Sequence, residues 1–151
     1  MNKNKQTIIA VIDGQGGGIG RSLVEKLRAE FPKGSGVRIC ALGTNASATN
    51  RMLREGADEG ATGENAIIFN AARADIITGP LAIIAANSML GELTPSMSCA
   101  ITSSNATKVL IPLDGCNIKI ATGEAFSIES SIERCVSIIK DAVNELTVSW
   151  I

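Results

Sequence analysis

Short apolar runs of strand length alternate along this chain with stretches whose apolar residues recur at helical spacing. Thr7 to Ile12 is one such run, ended by Asp13-Gly14, and Val37 to Leu42 is another, ended by Gly43. Asp75 to Thr78 closes at Gly79-Pro80 and Lys108 to Leu113 at Asp114-Gly115, while Asn117 to Ala121 reads as a shorter fifth strand or a hairpin partner. The runs are rich enough in Ile and Val for parallel strands buried on both faces.

Between them the period changes. Ile19, Leu23, Leu27 and Phe31 repeat at i, i+4, and Ile128, Ile132, Val136, Ile139, Val143 and Leu146 form a stripe behind a Ser127 cap. Further helices are predicted over Ala46 to Glu55, Gly63 to Ala72 behind a Thr62 cap, Leu81 to Leu90, and Thr94 to Ser103 with Pro95 at the favoured first position. Strands alternating with helices predict an α/β fold of Rossmann-like, doubly wound type: a mainly parallel sheet between two helical layers. Residues 7–151 read as one such domain and 1–6 as a flexible N-terminal tail.

Composition narrows the function classes. At 151 residues, 45% hydrophobic and 19% charged, the chain can bury roughly two thirds of its surface without staples. A net charge of -1 offers no positive field for a nucleic-acid backbone, so nucleic acid is not expected as a partner. Cys40, Cys99, Cys116 and Cys135 are widely spaced and the chain has no histidine, which excludes a mixed Cys/His zinc site and predicts reduced thiols. The apolar run Ile8 to Ile12 is too short for a secretory segment. Ile76 to Leu90, interrupted by Gly79, Pro80 and Asn87, falls short of the roughly 20 residues of a membrane span. The expectation is a cytoplasmic protein with no membrane partner.

Asp13-Gly14-Gln15-Gly16-Gly17-Gly18-Ile19-Gly20 follows the first strand directly and opens the first amphipathic helix. That context gives the glycines their meaning. They let the backbone turn tightly and come close to a ligand, while the N–H groups and positive dipole end of the helix attract an anion. The run points to a small phosphate-bearing ligand held by Gly14, Gln15, Gly16, Gly17, Gly18, Ile19 and Gly20. The alternative is that the glycines serve only a sharp turn and close helix–strand packing.

Two kinds of nucleotide site fit this turn. Spaced as Gly14-x-x-x-Gly18-x-Gly20, it resembles that of short-chain dehydrogenases, which implies NAD(P) lying across the strand ends. Read from Gly16 to Ser22, it resembles a variant P-loop, with Arg21 in the place of the phosphate-reaching lysine and Ser22 as the magnesium hydroxyl. The chain has no tyrosine, so the Tyr-x-x-x-Lys pair of those dehydrogenases is absent. The second strand ends in Leu42-Gly43-Thr44-Asn45 with no acid for a ribose hydroxyl, which leaves Thr44 or Asn45 for that contact. The P-loop lacks its lysine, and Gln15 stands where its first glycine belongs. Asp114 is the one strand-end acid suited to a metal.

Without histidine or tyrosine, acid/base chemistry falls to carboxylates, lysines or cysteines. A Ser-His-Asp or Cys-His nucleophile is excluded unless a partner subunit supplies the base. A nucleotide- or phosphate-ligand-binding protein is therefore the leading reading. A small NAD(P)-linked oxidoreductase, a variant P-loop nucleotide hydrolase and a non-enzymatic oligomeric assembly module are the alternatives.

Two further stretches carry polar residues in notable places. At Gly60 to Ala66, a small-residue loop meets a helix start bearing Glu64 and Asn65, which either shape the ligand pocket beside Thr44 and Asn45 or merely complement the helix dipole. In Ala85 to Thr94, Asn87 within an apolar helix requires a hydrogen-bond partner. Glu92 is the single charged residue from Ile76 to Thr107, a sparsity that suits either a homo-oligomer interface or a buried core. In a parallel sheet Asp13, Thr44, Glu64, Thr78 and Asp114 are expected near the carboxyl ends of the strands, where ligands of open α/β sheets bind.

Several segments in order, Ala10 to Gly20, Ala41 to Asn45, Glu59 to Ala66 and Ala85 to Pro95, together resemble the bacterial domain-of-unknown-function family DUF3842. The likeness runs from the first strand to about Leu113. It implies a bacterial cytoplasmic protein with a Rossmann-like core, and it brings no substrate or catalytic residues.

Overall fold

Five parallel strands organise the chain: β1 (Thr7–Asp13), β2 (Val37–Gly43), β3 (Glu59–Thr62), β4 (Ile76–Pro80) and β5 (Thr107–Ile111), in the order β3-β2-β1-β4-β5. The structure, a computed structural model, describes residues 5–113, 117–121 and 127–149. Successive side chains of a strand point to opposite faces, so the sheet makes two cores. On one face Ile9, Val11, Ile39, Ala41 and Ile76 pack against Leu23 and Leu27 of α1 (Gly18–Glu30), Met52 of α2 (Ala46–Arg54), and Ile132, Ile139 and Val143 of α5 (Ile128–Val148). On the other, Ala10, Ile12, Leu42 and Ile77 pack against Ile67 and Ala71 of α3 (Glu64–Ala71) and Met97 and Ile101 of α4 (Pro95–Ser103). The result is the three-layer, doubly wound Rossmann-like architecture. Each fully buried Ile or Leu contributes about 1.5 to 3 kcal/mol.

The helix starts follow local chemistry. Ser127 accepts the N–H of Ser130 at 3.0 Å ahead of α5, and Thr94 accepts that of Met97 at 3.2 Å with Pro95 in the first helical position. Asn45 Oδ1 caps α2 by accepting the N–H of Ala48 at 2.9 Å. Such caps satisfy donors that have no partner within the helix.

Four expectations are corrected. Glu59–Thr62, read as loop, is the edge strand β3, made a strand by pairing with β2 from Cys40 to Gly43 and by no propensity of its own. Thr62 does not cap α3, because Gly63 takes the N-cap position at φ 100° and the Thr62 hydroxyl pairs instead with that of Thr49 at 2.7 Å. Leu81 to Leu90 is not one helix but two short 3-10 turns, Leu81–Ile84 and Met89–Gly91. There the Ser88 hydroxyl donates to the Ala82 carbonyl at 2.6 Å and Asn87 turns left-handed, local bonding that competes with a continued helix. Asn87 is accordingly exposed and needs no buried partner. Lastly, Asn117 to Ala121 holds a single bridge residue, Ile118, and β5 stops at Ile111 before Pro112, which has no N–H to give the ladder. Asp114 and Cys116 lie outside the described residues.

The chain steps outward from β1 through β2 to β3, then returns to place β4 on the other side of β1. The connections leaving β1 and β4 therefore diverge: α1 joins the first core, whereas Ile83 and Leu93 after β4 join the second. A crevice opens between them at the carboxyl ends of the two strands, the position where open α/β sheets bind ligands. Among the described residues no helix is long and apolar enough to cross a membrane.

Candidate functional site

That crevice is a cleft of about 650 Å³, a volume suited to a small organic molecule. Asp13, Gly14, Gln15 and Ile19 form one wall, Pro80 to Ala82 and Ala86 to Leu90 the facing one, and Leu113, Asn117 and Ile118 close the end beyond β5. The lining is mostly apolar, with a carboxylate at its base.

The glycine run divides into two kinds of position. Gly17 sits at φ 68° as the N-cap of α1, and a Cβ there would lie 2.7 Å from the Cα of Ala48. A Cβ on Gly20 would lie 2.8 Å from the Cβ of Asp13 and 2.7 Å from the sulfur of Met52. Packing alone accounts for these two glycines. Gly16 and Gly18 differ: both are exposed, neither has a positive φ, and a Cβ on either meets nothing within 4 Å. Their bareness serves no contact inside the described chain.

The amides of the turn divide in the same way. Asp13, only 4% exposed, accepts the Gly14 N–H on Oδ1 at 2.8 Å and the Gly20 N–H on Oδ2 at 2.7 Å. Gly17 donates to the Gly14 carbonyl at 2.9 Å, and Gln15 to the Glu92 carboxylate at 3.2 Å. Among the described residues the N–H groups of Gly16 and Gly18 have no protein acceptor. The expectation that the whole run presents its amides to a ligand is thus narrowed, because the protein's own carboxylates take three of them. Burial pushes the Asp13 carboxyl above its ordinary value against the opposing amides of Gly20 and Gly14, and the charge of Glu92 adds to the rise.

Glu92 reaches the turn from the segment before α4. Its Oε1 accepts from Asn45 Nδ2 at 2.6 Å and from the Thr44 hydroxyl at 2.9 Å. The Asn45 amide, with Thr44 and the Gln15 N–H, holds this carboxyl below its usual range despite some burial. Asn45 Nδ2 also donates to the Gln15 carbonyl at 2.9 Å, so the loops after β1 and β2 are joined at this point.

Of the residues singled out in the sequence, Gly14, Gln15 and Ile19 line the cleft, and Thr44 and Asn45 are joined to Gln15, Thr44 through Glu92 and Asn45 both through Glu92 and directly. Glu64 and Asn65 are not cleft residues: both are exposed in the first turn of α3, where Glu64 accepts the Thr94 hydroxyl at 2.5 Å and ties α3 to α4. Thr78 is fully buried with its hydroxyl 3.2 Å from the thiol of Cys135, away from the ligand side. Arg21 pairs with Glu55 at 2.7 Å and Ser22 donates to the Gly18 carbonyl at 3.1 Å, so neither is disposed as a P-loop requires. The cap role of Asp13 and the reach of Glu92 went unread. The signal for Glu92 was its isolation: one carboxylate in a long uncharged stretch needs a polar destination.

A family model described as "Domain of unknown function (DUF3842)" matches residues 8–144. No curated protein matches the chain. Among solved structures it is similar to a dodecameric FMN-dependent Ubix-like decarboxylase from Escherichia coli O157:H7, at 17% identity and a TM-score of 0.45, with 89% of this chain and 76% of that chain covered.

Proposed function

The chain belongs to the DUF3842 family of domains of unknown function, and from its own geometry we propose that it is a nucleotide- or phosphate-ligand-binding protein whose site is the cleft between β1 and β4. One observation carries this reading: in the turn whose Gly14, Gln15 and Ile19 line a cleft of ligand size, the intervening Gly16 and Gly18 leave side-chain space and amides that the described protein does not use. The phosphate faces those two amides at the start of α1, where the helix dipole favours negative charge. The apolar walls, Leu81, Met89, Leu113 and Ile118, take the ring of a nucleotide such as a flavin or NAD(P).

Binding is favoured over hydride transfer or hydrolysis for a specific reason. Among the described residues the titratable one lining the cleft is Asp13, and both of its oxygens are committed to backbone amides. The homo-oligomer reading draws on the uncharged middle of the chain, although Ile76, Ile77, Ile83, Leu93, Met97 and Ile101 are already buried in the domain's own cores. A native mass measurement tests it, and a strict monomer removes it.

The ligand reading is tested by thermal shift with FMN, NAD, NADP, ATP with Mg²⁺, and inorganic phosphate. A ligand at 100 times its Kd adds about 2.7 kcal/mol to the folded state. Gly16→Val and Gly18→Val should keep the fold and lose the shift. Absence of a shift with every compound, or shifts indifferent to both substitutions, overturns the proposal.

A further inference from the structure

We propose that the Gln15 N–H, the Thr44 hydroxyl and the Asn45 side-chain amide form a second phosphate subsite, held shut by Glu92 acting as the protein's own stand-in anion. The inference deepens the phosphate reading of the cleft and rests on it for the ligand class. Three donors from two different loops converge on one carboxylate, at 3.2, 2.9 and 2.6 Å. All three are neutral, so Glu92 is held by an array of hydrogen-bond donors of the kind that receives an oxyanion. The array stands at the carboxyl ends of β1 and β2, next to the open amides of Gly16 and Gly18.

The position is awkward for a merely structural acid. Glu92 repels the buried Asp13 carboxylate, and a ligand phosphate approaching the turn meets both negative charges. The segment that delivers Glu92 is also strained. Asn87, Met89 and Leu90 adopt left-handed backbone angles of φ 65°, 56° and 56°, and Leu90 is left 98% exposed beside the cleft. Asparagine enters that region readily, whereas methionine and leucine do so only when their surroundings impose it. The bonds of Glu92 tie the segment to the turn, in addition to its own bonds from the Ser88 hydroxyl to the Ala82 carbonyl at 2.6 Å and from the Asn87 N–H to the Leu93 carbonyl at 2.8 Å. A phosphate that takes over the three donors releases the tie made by Glu92, and residues 87–92 loosen as it binds.

The test uses the whole chain and inorganic phosphate as the probe. Glu92→Ala should bind phosphate at least tenfold more tightly than the wild type by calorimetry, with Glu92→Gln in between. Adding Thr44→Val to Glu92→Ala should abolish the gain. As a measurement independent of how the variants fold, saturating AMP should speed amide hydrogen exchange across residues 87–92 of the wild type. A folded Glu92→Ala protein that binds phosphate no better, or exchange that is unchanged or slowed when AMP is bound to the wild type, overturns the inference. The two readings fail separately. Phosphate capture by Glu92→Ala with no nucleotide bound by the wild type removes the nucleotide reading alone, whereas nucleotide binding with no gain in the variant removes the subsite alone.

Discussion

Asp13 Oδ2 accepts the backbone N–H of Gly20 at 2.7 Å, so the last residue of β1 caps the first turn of α1 from seven residues away. The same carboxylate holds the Gly14 N–H, which makes one buried side chain the closure of the whole glycine turn. Most of what a phosphate would find at an uncapped helix start is here already satisfied from within, and the ligand is left with the outer amides.

Asp13→Ala should cost about 2 to 4 kcal/mol in urea denaturation, because two buried donors lose their acceptor at about 1 to 3 kcal/mol each. Asp13→Asn should cost less, since its carbonyl keeps one of the two bonds. A loss below about 0.5 kcal/mol for the alanine variant would be within the range of ordinary surface substitutions and would rule out the cap.

The division of the glycines is open to the same measurement. Gly17→Ala forces a Cβ into a left-handed position 2.7 Å from the backbone of Ala48 and should destabilise by about 1 to 3 kcal/mol. Gly16→Ala and Gly18→Ala should stay within about 0.5 kcal/mol of the wild type. Equal losses at all three would mean that the turn needs every glycine for its own shape.

Leu93 is fully buried while Leu90, three residues earlier, is 98% exposed. Leu93→Ala should therefore cost about 2 to 5 kcal/mol by leaving a cavity in the second core, and Leu90→Ser almost nothing. A continuous helix through Leu81 to Leu90, anchored by its apolar residues, predicts instead a substantial loss at Leu90.

Acid should loosen the seam between α1, β2 and β3. Asp58 Oδ2 accepts both the Ile39 N–H at 2.8 Å and Arg28 Nη2 at 2.7 Å. Burial pushes its carboxyl up, but the Ile39 amide and the Arg28 guanidinium outweigh it and leave the carboxyl below its ordinary 3.8. A carboxyl lowered on folding contributes stability that is present above 3.8 and lost as the pH falls through the folded value. The melting temperature of the wild type should drop more steeply below that pH than that of Asp58→Asn. Parallel curves would mean that the pair adds nothing.

The strands and most helices were legible because their signals are local. The Ile/Val runs of β1 and β2, the i, i+4 stripe of α1 and the Ser127 cap each depend on residues a few positions apart. The edge strand β3 was not legible, since Glu59–Thr62 becomes a strand only when β2 offers its unpaired backbone. Nor was the break in Leu81 to Leu90, where an apolar spacing that suits a helix is overruled by Ser88 and Asn87 bonding within the turn.

By itself the order of residues determined the layered α/β fold, the glycine turn after the first strand, and the exclusion of histidine and tyrosine chemistry. Those follow from periodicity and from which residue types exist in the chain. Only the tertiary structure decided which amides remain open to a ligand, because the acceptors that close the others come from afar: Glu92 stands 77 residues from Gln15 and 47 from Asn45. No periodicity encodes such a meeting. It exists because the order β3-β2-β1-β4-β5 brings the ends of β1, β2 and β4 to one edge of the sheet, and a hydrogen bond responds to distance in space, whatever the separation along the chain.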